Sequence, residues 1–212
     1  MTFAVEQPDE QGFVLDNVSW EFYEHLLSEV GDRHIFVTYD RGRLEIMSPS
    51  FRHERYAELL GALVRILATE LKAPIIGGGS TTFRRRKSEA GLEPDRCFYI
   101  QNANSIRGKT ELNLAIDPPP DLAIEIEISR RLANRVEVYR RLRMPEIWCD
   151  DGTRLQILCL ADNGYESADQ SRAFPQFSAT QLHDLLMLSA GIDETEWALK
   201  VREWLRTNHF AR

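Results

Sequence analysis

The sequence predicts an α/β fold with a mixed sheet, and three observations lead to this class. Residues 124–128 alternate isoleucine with glutamate, the period of two that is typical of a strand. Residues 50–71 repeat apolar side chains at helical spacing. No proline- or serine-rich linker divides the 212 residues. We therefore expect a single domain over residues 1–212, with a helical extension over about 175–212.

The predicted elements begin with a helix over Trp20–Val30, which Ser19 caps and Gly31 ends. Residues 34–39 and 43–47 read as two strands, and a three-residue connection ending in Gly42 suggests a type I turn with a bulge. The helix over residues 50–71 comes next. His53, Glu54 and Glu58 lie in its first two turns and are possible auxiliary site residues. His53 continues the apolar stripe, so it is either a packed, hydrogen-bonded core residue or a ligand.

The middle of the chain predicts strands over residues 81–85 and 97–101, and a basic helix over 132–142. Residues 77–80 are Gly-Gly-Gly-Ser, but a phosphate-binding loop is rejected because its lysine and its following helix are missing. A hairpin over residues 146–150 and 155–160 follows, and two helices complete the chain. Ser178 with Gln181 forms a capping box for the first of them. The tryptophan-bearing stripe of the last helix is a candidate for the core or for a subunit interface, so a homodimer or larger homo-oligomer is expected.

Composition narrows the class of protein. The sequence is 43% hydrophobic and 28% charged, as in a soluble globular protein. No apolar run approaches the roughly 18 residues of a membrane span, and the N-terminal residues lack the features of a signal peptide. Three widely spaced cysteines fit neither a disulfide framework nor a zinc site. We therefore expect a cytoplasmic protein without a membrane partner.

The net charge of −7 argues against broad, non-specific affinity for nucleic acid, but basic residues cluster locally. One cluster is the run Arg84, Arg85, Arg86 and Lys87. It is either a solvated surface or a set of contacts to a DNA backbone.

Pro94-Asp95 and the acidic strand over residues 124–128 together suggest a metal site. In that strand Glu125 and Glu127 share a face, because side chains alternate along a strand. Two adjacent carboxylates repel each other, and a divalent cation with oxygen ligands relieves this cost. Asp95 is the third carboxylate of the proposed cluster. The alternative is an ordinary half-exposed strand with its glutamates in solvent.

Four blocks of the sequence together resemble the Uma2-like (DUF820) restriction endonuclease family of the PD-(D/E)xK nuclease superfamily. They are YDRGRLEIMSPS at residues 39–50 with His53-Glu54 after it, EPDRCFYIQ at 93–101, PPDLAIEIEIS at 119–129, and the segment from Tyr139 through MPEIW at 144–148. The resemblance implies a restriction-endonuclease-like core, αβββαβ, over about residues 34–160, with a mixed central sheet flanked by helices.

The resemblance also implies site residues. Asp95 and Glu125 would bind Mg²⁺ or Mn²⁺, with the backbone carbonyl of Ile126 as a further ligand. Glu127 stands where the superfamily carries a catalytic lysine, and Arg135, four residues before Tyr139, would replace that lysine. Arginine stays protonated, so Arg135 would stabilise charge on the scissile phosphate while Glu127 assists the attacking water. The alternative for Arg135 is a helix-surface charge paired with a neighbouring acid.

The favoured hypothesis is therefore a Mg²⁺- or Mn²⁺-dependent endonuclease that hydrolyses DNA with a metal-activated water. The second hypothesis is a catalytically inactive protein of the same fold that binds nucleic acid or serves as an oligomeric interaction protein. The acidic net charge and the arginine in place of lysine favour this alternative. A metal-dependent enzyme acting on a small phosphoester is a third hypothesis.

Overall fold

A computed structural model of the chain describes residues 11–31, 33, 35–126 and 135–209. The elements, in chain order, are β1 (Gln11–Leu15), α1 (Trp20–Val30), β2 (Phe36–Asp40), β3 (Arg43–Ser48), α2 (Phe51–Glu70), β4 (Ile76–Gly77), β5 (Phe83–Arg85), a 3₁₀ turn (Arg86–Ser88), β6 (Ala90–Leu92), β7 (Arg96–Tyr99), α3 (Ala103–Ile106), β8 (Leu122–Ile126), α4 (Arg135–Leu142), β9 (Glu146–Asp150), β10 (Leu155–Ala161), β11 (Gly164–Ala168), α5 (Ala179–Met187) and α6 (Glu194–His209). The predicted α/β class is confirmed.

A six-stranded sheet contains the acidic strand near its centre. Its order is β11-β10-β9-β8-β7-β4. Strands β8 and β9 are parallel, whereas the other neighbours are antiparallel, so the sheet is mixed as predicted. The pairing places Ile126 opposite Asp150 of β9. Both residues end their strands, so the ends of β8 and β9 lie side by side.

A second sheet has five antiparallel strands in the order β1-β3-β2-β6-β5. The predicted bulged connection between β2 and β3 is wrong, because Asp40 pairs directly with Arg43. The loop therefore has two residues, Arg41 with φ 46° and Gly42 with φ 87°. Positive φ at both positions defines a type I′ turn, whose twist matches that of the strands it joins.

Helix α4 lies between the two sheets. It contacts β2, β5 and β6 of the five-stranded sheet and β11 of the six-stranded sheet. Its inner face buries Val138, Tyr139 and Leu142, which pack in one cluster with Phe83 of β5 and Ile147 of β9. The first residue of this helix, Arg135, is also buried.

The other face of the six-stranded sheet is covered by α2 and α5, and α6 packs against α2. Isoleucines 124 and 126 of β8 pack there in the largest apolar cluster, together with Leu60 and Leu63 of α2. The stripe of α6 belongs to this core, since Trp197 is buried and its indole N–H donates to the carbonyl of Leu185 (2.8 Å). The stripe therefore gives no support to an oligomer interface, and the oligomeric state stays a prediction. No helix within the described ranges is both long and apolar enough to cross a membrane.

Candidate active site

Asp95 lies at the entrance to β7 and is fully buried. Its backbone N–H donates to the carbonyl of Ile124 (3.1 Å), and its Oδ2 accepts the N–H of Ile126 (2.6 Å). These bonds continue the pairing of β7 with β8 beyond Arg96 and Ile124. The strand pairing thus joins two residues that the sequence separates by 31 positions.

His53 of helix α2 contacts the same carboxylate. Its Nε2 lies 3.1 Å from Asp95 Oδ2, and both side chains are fully buried. Ser50 sets this position, because its hydroxyl accepts the His53 N–H (3.2 Å) and caps α2. His53 is therefore a packed, hydrogen-bonded histidine whose partner is Asp95.

Arg96 connects the remaining residues of the first turns of α2. Its Nη2 donates to Glu58 (2.9 Å) and lies 3.6 Å from Glu54, while its Nη1 donates to the Asp95 carbonyl (2.6 Å). Glu54 also lies 3.6 Å from His53 Nδ1. The three auxiliary residues predicted from the sequence, His53, Glu54 and Glu58, are therefore grouped around Asp95 and Arg96.

Glu125 points to the other face of the sheet, where Arg135 of α4 binds it with two hydrogen bonds. Arg135 Nε donates to Oε2 (2.9 Å) and Nη2 donates to Oε1 (2.7 Å). The Tyr139 hydroxyl donates to the same Oε1. The side chains of Arg135 and Glu125 are only 4% and 3% exposed, so this is a buried ion pair. It excludes the half-exposed strand, in which Glu125 would face solvent.

Arg135 also connects the two sheets. Its Nη1 donates to the Thr38 hydroxyl of β2, and its Nη2 donates to the Glu93 carbonyl (2.6 Å), two residues before Asp95. Burial by itself lowers the pKa of Arg135, but Glu125 and Tyr139 outweigh it and raise that pKa well above the ordinary value. Burial and the neighbouring Glu125 likewise raise the pKa of Tyr139. Arg135 is thus permanently charged, and Tyr139 remains a neutral donor.

Both carboxylate oxygens of Glu125 and Oδ2 of Asp95 already have protein partners, with which a metal would have to compete. The donor types suit a hard divalent cation, since Asp95 and Glu125 supply carboxylates and Ile126 a carbonyl. Within the described ranges, however, no three His, Cys, Asp or Glu side chains converge as a ready metal-binding group. Glu127 lies outside the described residues. The donors fit a metal in kind, but Arg135 already neutralises Glu125.

The basic run over residues 84–87, at the end of β5 and in the following 3₁₀ turn, makes several separate contacts. Arg84 pairs with Glu24 of α1 (3.4 Å), and Arg86 pairs with Glu21. Arg85 donates to the carbonyl of Leu114 (2.9 Å), and burial is the main cause of its lowered pKa. Lys87 is exposed. Acidic residues of α1 therefore offset part of the positive charge proposed to meet DNA.

Sequence reasoning missed several polar groups of this region. Tyr139 follows Arg135 by one helical turn, and this spacing alone could have placed both on one face of α4. Thr38 and Arg96 had no comparable local pattern. A further pair, Asp150 and His183, lies beside Ile126 with 3.3 Å between Oδ2 and Nδ1. Burial is the main cause of the raised pKa of Asp150.

Comparison with known proteins gives two findings. The family model of Uma2, described as "Putative restriction endonuclease", matches residues 20–191. The crystal structure of "a putative nuclease belonging to DUF820 from Anabaena variabilis ATCC 29413" superimposes with a TM-score of 0.50 at 15% sequence identity. The match covers 71% of this chain and 90% of that chain, so the two share a fold. No curated protein matches the chain.

Proposed function

The chain belongs to the Uma2 restriction endonuclease family, and from this premise we propose that it hydrolyses DNA phosphodiester bonds with the help of a divalent cation. The observation that carries the proposal is the fully buried carboxylate of Asp95, bonded to Ile126 next to Glu125. A buried carboxylate is costly unless it is paired or binds a cation. Asp95 directly precedes β7, at one end of that strand and beside the acidic strand. This position suits a metal that must also contact a substrate.

Asp95, Glu125 and the carbonyl of Ile126 would hold Mg²⁺ or Mn²⁺, with Glu127 as a further ligand or as the group that assists the water. In a strand, the N–H and C=O of one residue face the same neighbour. Because the Ile126 N–H reaches Asp95, the carbonyl of Ile126 is directed toward the same side as that carboxylate. When bound, the cation would polarise the phosphate and lower the pKa of the attacking water.

The protein side chains supply position and charge. His53 holds Asp95 in place from α2, and Arg135 holds Glu125 from α4. Arg135 acts as a positioning residue in this arrangement, because its Nε and both Nη atoms donate to Glu125, Thr38 and the Glu93 carbonyl. Direct contact between Arg135 and a scissile phosphate would require it to release at least one of these bonds. The exposed residues of the run 84–87 would contact the DNA backbone.

One observation favours the second candidate function, a non-catalytic protein of this fold that binds nucleic acid or other proteins. Arg135 compensates the charge of Glu125 without any metal. If this pairing is permanent, Glu125 never becomes a ligand. Metal binding separates the two candidates.

The test is calorimetric titration of the protein with Mn²⁺, combined with incubation of supercoiled plasmid DNA in Mg²⁺, Mn²⁺ or EDTA. We expect saturable Mn²⁺ binding and metal-dependent nicking, both abolished in Asp95→Asn. Asp162→Asn is the control, because Asp162 is an exposed carboxylate in the turn between β10 and β11. Circular dichroism verifies that each variant is folded. If Asp95→Asn binds Mn²⁺ no less than the wild type does, or neither binds it, and the plasmid stays intact, the non-catalytic alternative is favoured.

A further inference from the structure

We propose that a groove beside Phe51, between the start of α2 and the end of α5, binds an unpaired nucleobase of the substrate. The groove encloses about 400 Å³ and is lined by the loop after α5 together with Phe51, Arg52, Arg55, Tyr56, Leu59 and Met187. The inference rests on the proposed function and names its substrate class, a nucleic acid with a single-stranded segment.

Phe51 provides an aromatic face that the fold does not use. It is the first residue of α2, where Ser50 already supplies the cap, and its side chain is 84% exposed. A single exposed apolar side chain is ordinary on a protein surface. Phe51 differs because it borders a groove that has an apolar floor and two arginines at its sides.

The charged residues differ between the two sides of Phe51. On the α5 side the charged lining residues are Arg52 and Arg55. On the opposite side of Phe51, a second depression is lined by four acids, among them Glu58 and Glu194, together with Arg55 and Arg96. Arg55 borders both depressions, and it forms no ion pair within the described part of the chain, so its guanidinium is available to a ligand in the groove. An anionic chain is therefore favoured on the arginine side and repelled on the other.

The groove lies close to the candidate active site, because both use residues of the first turn of α2. Phe51 and His53 are two positions apart in the first turn of α2, and His53 contacts Asp95. The guanidinium of Arg52 lies 3.6 Å from the place that a Cβ on Gly152 would occupy, at the turn after β9. Arg52 thus borders the edge of the sheet where Ile126 and Asp150 end their strands. A nucleotide stacked on Phe51 would place its neighbouring phosphates toward this edge.

An aromatic face of this kind selects unpaired bases. A base within a duplex is stacked on both sides, whereas an unpaired base offers a free face that can stack on phenylalanine. Arginine side chains next to such a platform bind the phosphates, which is the usual arrangement in proteins that hold single strands. The substrate would be single-stranded DNA, or a DNA duplex with unpaired nucleotides.

Fluorescence anisotropy in EDTA tests the proposal without any dependence on catalysis. The probes are a labelled single-stranded oligonucleotide of mixed sequence and the blunt duplex made from it. We expect Phe51→Ala to weaken single-strand binding by about 5- to 150-fold, the range for removing one stacked aromatic ring, while Phe51→Trp retains it. Arg55→Gln should reduce the salt dependence by about 0.7 for each phosphate that the arginine neutralises in the wild type. Ile116→Ala is the control, since Ile116 is 80% exposed elsewhere on the surface.

Three results would overturn the inference: single-strand binding by Phe51→Ala equal to that of the wild type, an equal reduction in Ile116→Ala, or an equal reduction of duplex binding in Phe51→Ala. A change of oligomeric state in Phe51→Ala on size-exclusion chromatography would also overturn it, because Phe51 would then lie at a subunit interface. The two proposals fail separately. If binding depends on Phe51 but no DNA is cleaved in Mn²⁺, the nuclease proposal fails and the groove proposal stands. If DNA is cleaved but binding does not depend on Phe51, the groove proposal fails and the nuclease proposal stands.

Discussion

Arg135 and Glu125 are buried charges that depend on each other. Moving either one from water into the interior costs several kcal/mol, and the cost is recovered only where geometry and hydrogen bonding are favourable. Here two bonds join the guanidinium to the carboxylate, and Thr38, Tyr139 and the Glu93 carbonyl satisfy further polar groups. The resulting network fixes the proposed second acid of the site. It also makes the acid dependent on a cation, whether guanidinium or metal.

Replacing Arg135 by glutamine is expected to lower the free energy of unfolding by about 3–5 kcal/mol, because it leaves Glu125 buried without its charge partner. Equilibrium urea unfolding measures this decrease. Mn²⁺ should recover more stability in this variant than in the wild type if Glu125 is a metal ligand, since the ion replaces the missing charge.

Arg140→Gln is the matched control for this prediction, because Arg140 belongs to the same helix and pairs with Glu137 at the surface. We expect it to cost at most about 1 kcal/mol. Equal decreases in the two variants would mean that the buried pair contributes no more than a surface pair. The expected decrease in Arg135→Gln without any Mn²⁺ effect would count against Glu125 as a ligand.

The first turn of α2 carries residues of both the candidate site and the groove. It directs Phe51 outward to the groove, Arg52 toward the turn after β9, and His53 inward to Asp95. The same turn is fixed by one local interaction, the hydroxyl of Ser50 accepting the His53 N–H. The cap therefore links helix stability to the position of a site residue.

Ser50→Ala is predicted to cost about 0.5–2 kcal/mol of stability, the usual range for removing an N-cap, and to weaken both Mn²⁺ binding and plasmid nicking. Ser19→Ala is the matched control, since Ser19 caps α1 in the same way through the Phe22 N–H. It should reduce stability by a similar amount and leave Mn²⁺ binding unchanged. Urea unfolding and calorimetry give the two quantities. An equal effect of both caps on Mn²⁺ binding would contradict a specific role of the α2 turn.

Local sequence features predicted the elements that local interactions determine. The bounds of α1 agree with the prediction because Ser19 and Gly31 mark both ends, and β9 agrees over residues 146–150. Strand β6 was missed, since Ala90-Gly91-Leu92 has no alternation and forms a strand only by pairing with β2 and β5. Strands β1 and β11, which lie at the edges of their sheets, were also missed.

In the candidate site, too, the sequence indicated which residues take part but not the contacts between distant segments. Asp95 and Glu125 were identifiable from residue type and spacing, and Arg135 from the family resemblance. The structure brings Asp95 to Ile126 and Arg135 to Glu125. Their burial was not predictable, because it depends on α4 lying between two sheets. The contact between Arg135 and Thr38 spans 97 positions of the chain. No local pattern in the sequence encodes that distance.

At the scale of the whole molecule, electrostatics limits how the chain can meet nucleic acid. The net charge is −7, so binding has to use local basic surfaces. Two of these are the arginine side of the Phe51 groove and the run 84–87. The second is partly neutralised, because Arg84 and Arg86 pair with Glu24 and Glu21 of α1. We therefore expect the acids of helix α1 to lower the affinity for an anionic partner.

The double variant Glu21→Gln/Glu24→Gln is expected to bind DNA more tightly than the wild type at low salt. It releases Arg84 and Arg86 from their acidic partners and changes the net charge from −7 to −5, since two negative charges are removed. Each additional phosphate neutralised should steepen the salt dependence by about 0.9 for duplex DNA. Stability should change little, because exposed ion pairs contribute at most about 1 kcal/mol. Anisotropy titrations at several salt concentrations measure both affinity and slope.

A control with the same net charge distinguishes local from global electrostatics. Glu166→Gln/Glu203→Gln removes two exposed glutamates, on β11 and α6, that do not pair with the run 84–87. We expect it to raise DNA affinity less than the α1 variant does and to leave the salt slope unchanged, because it frees no arginine for a phosphate. An equal gain in both variants would assign the effect to net charge alone. No gain in either variant would show that DNA does not approach this face, and the Phe51 groove would then remain as the basic surface for binding.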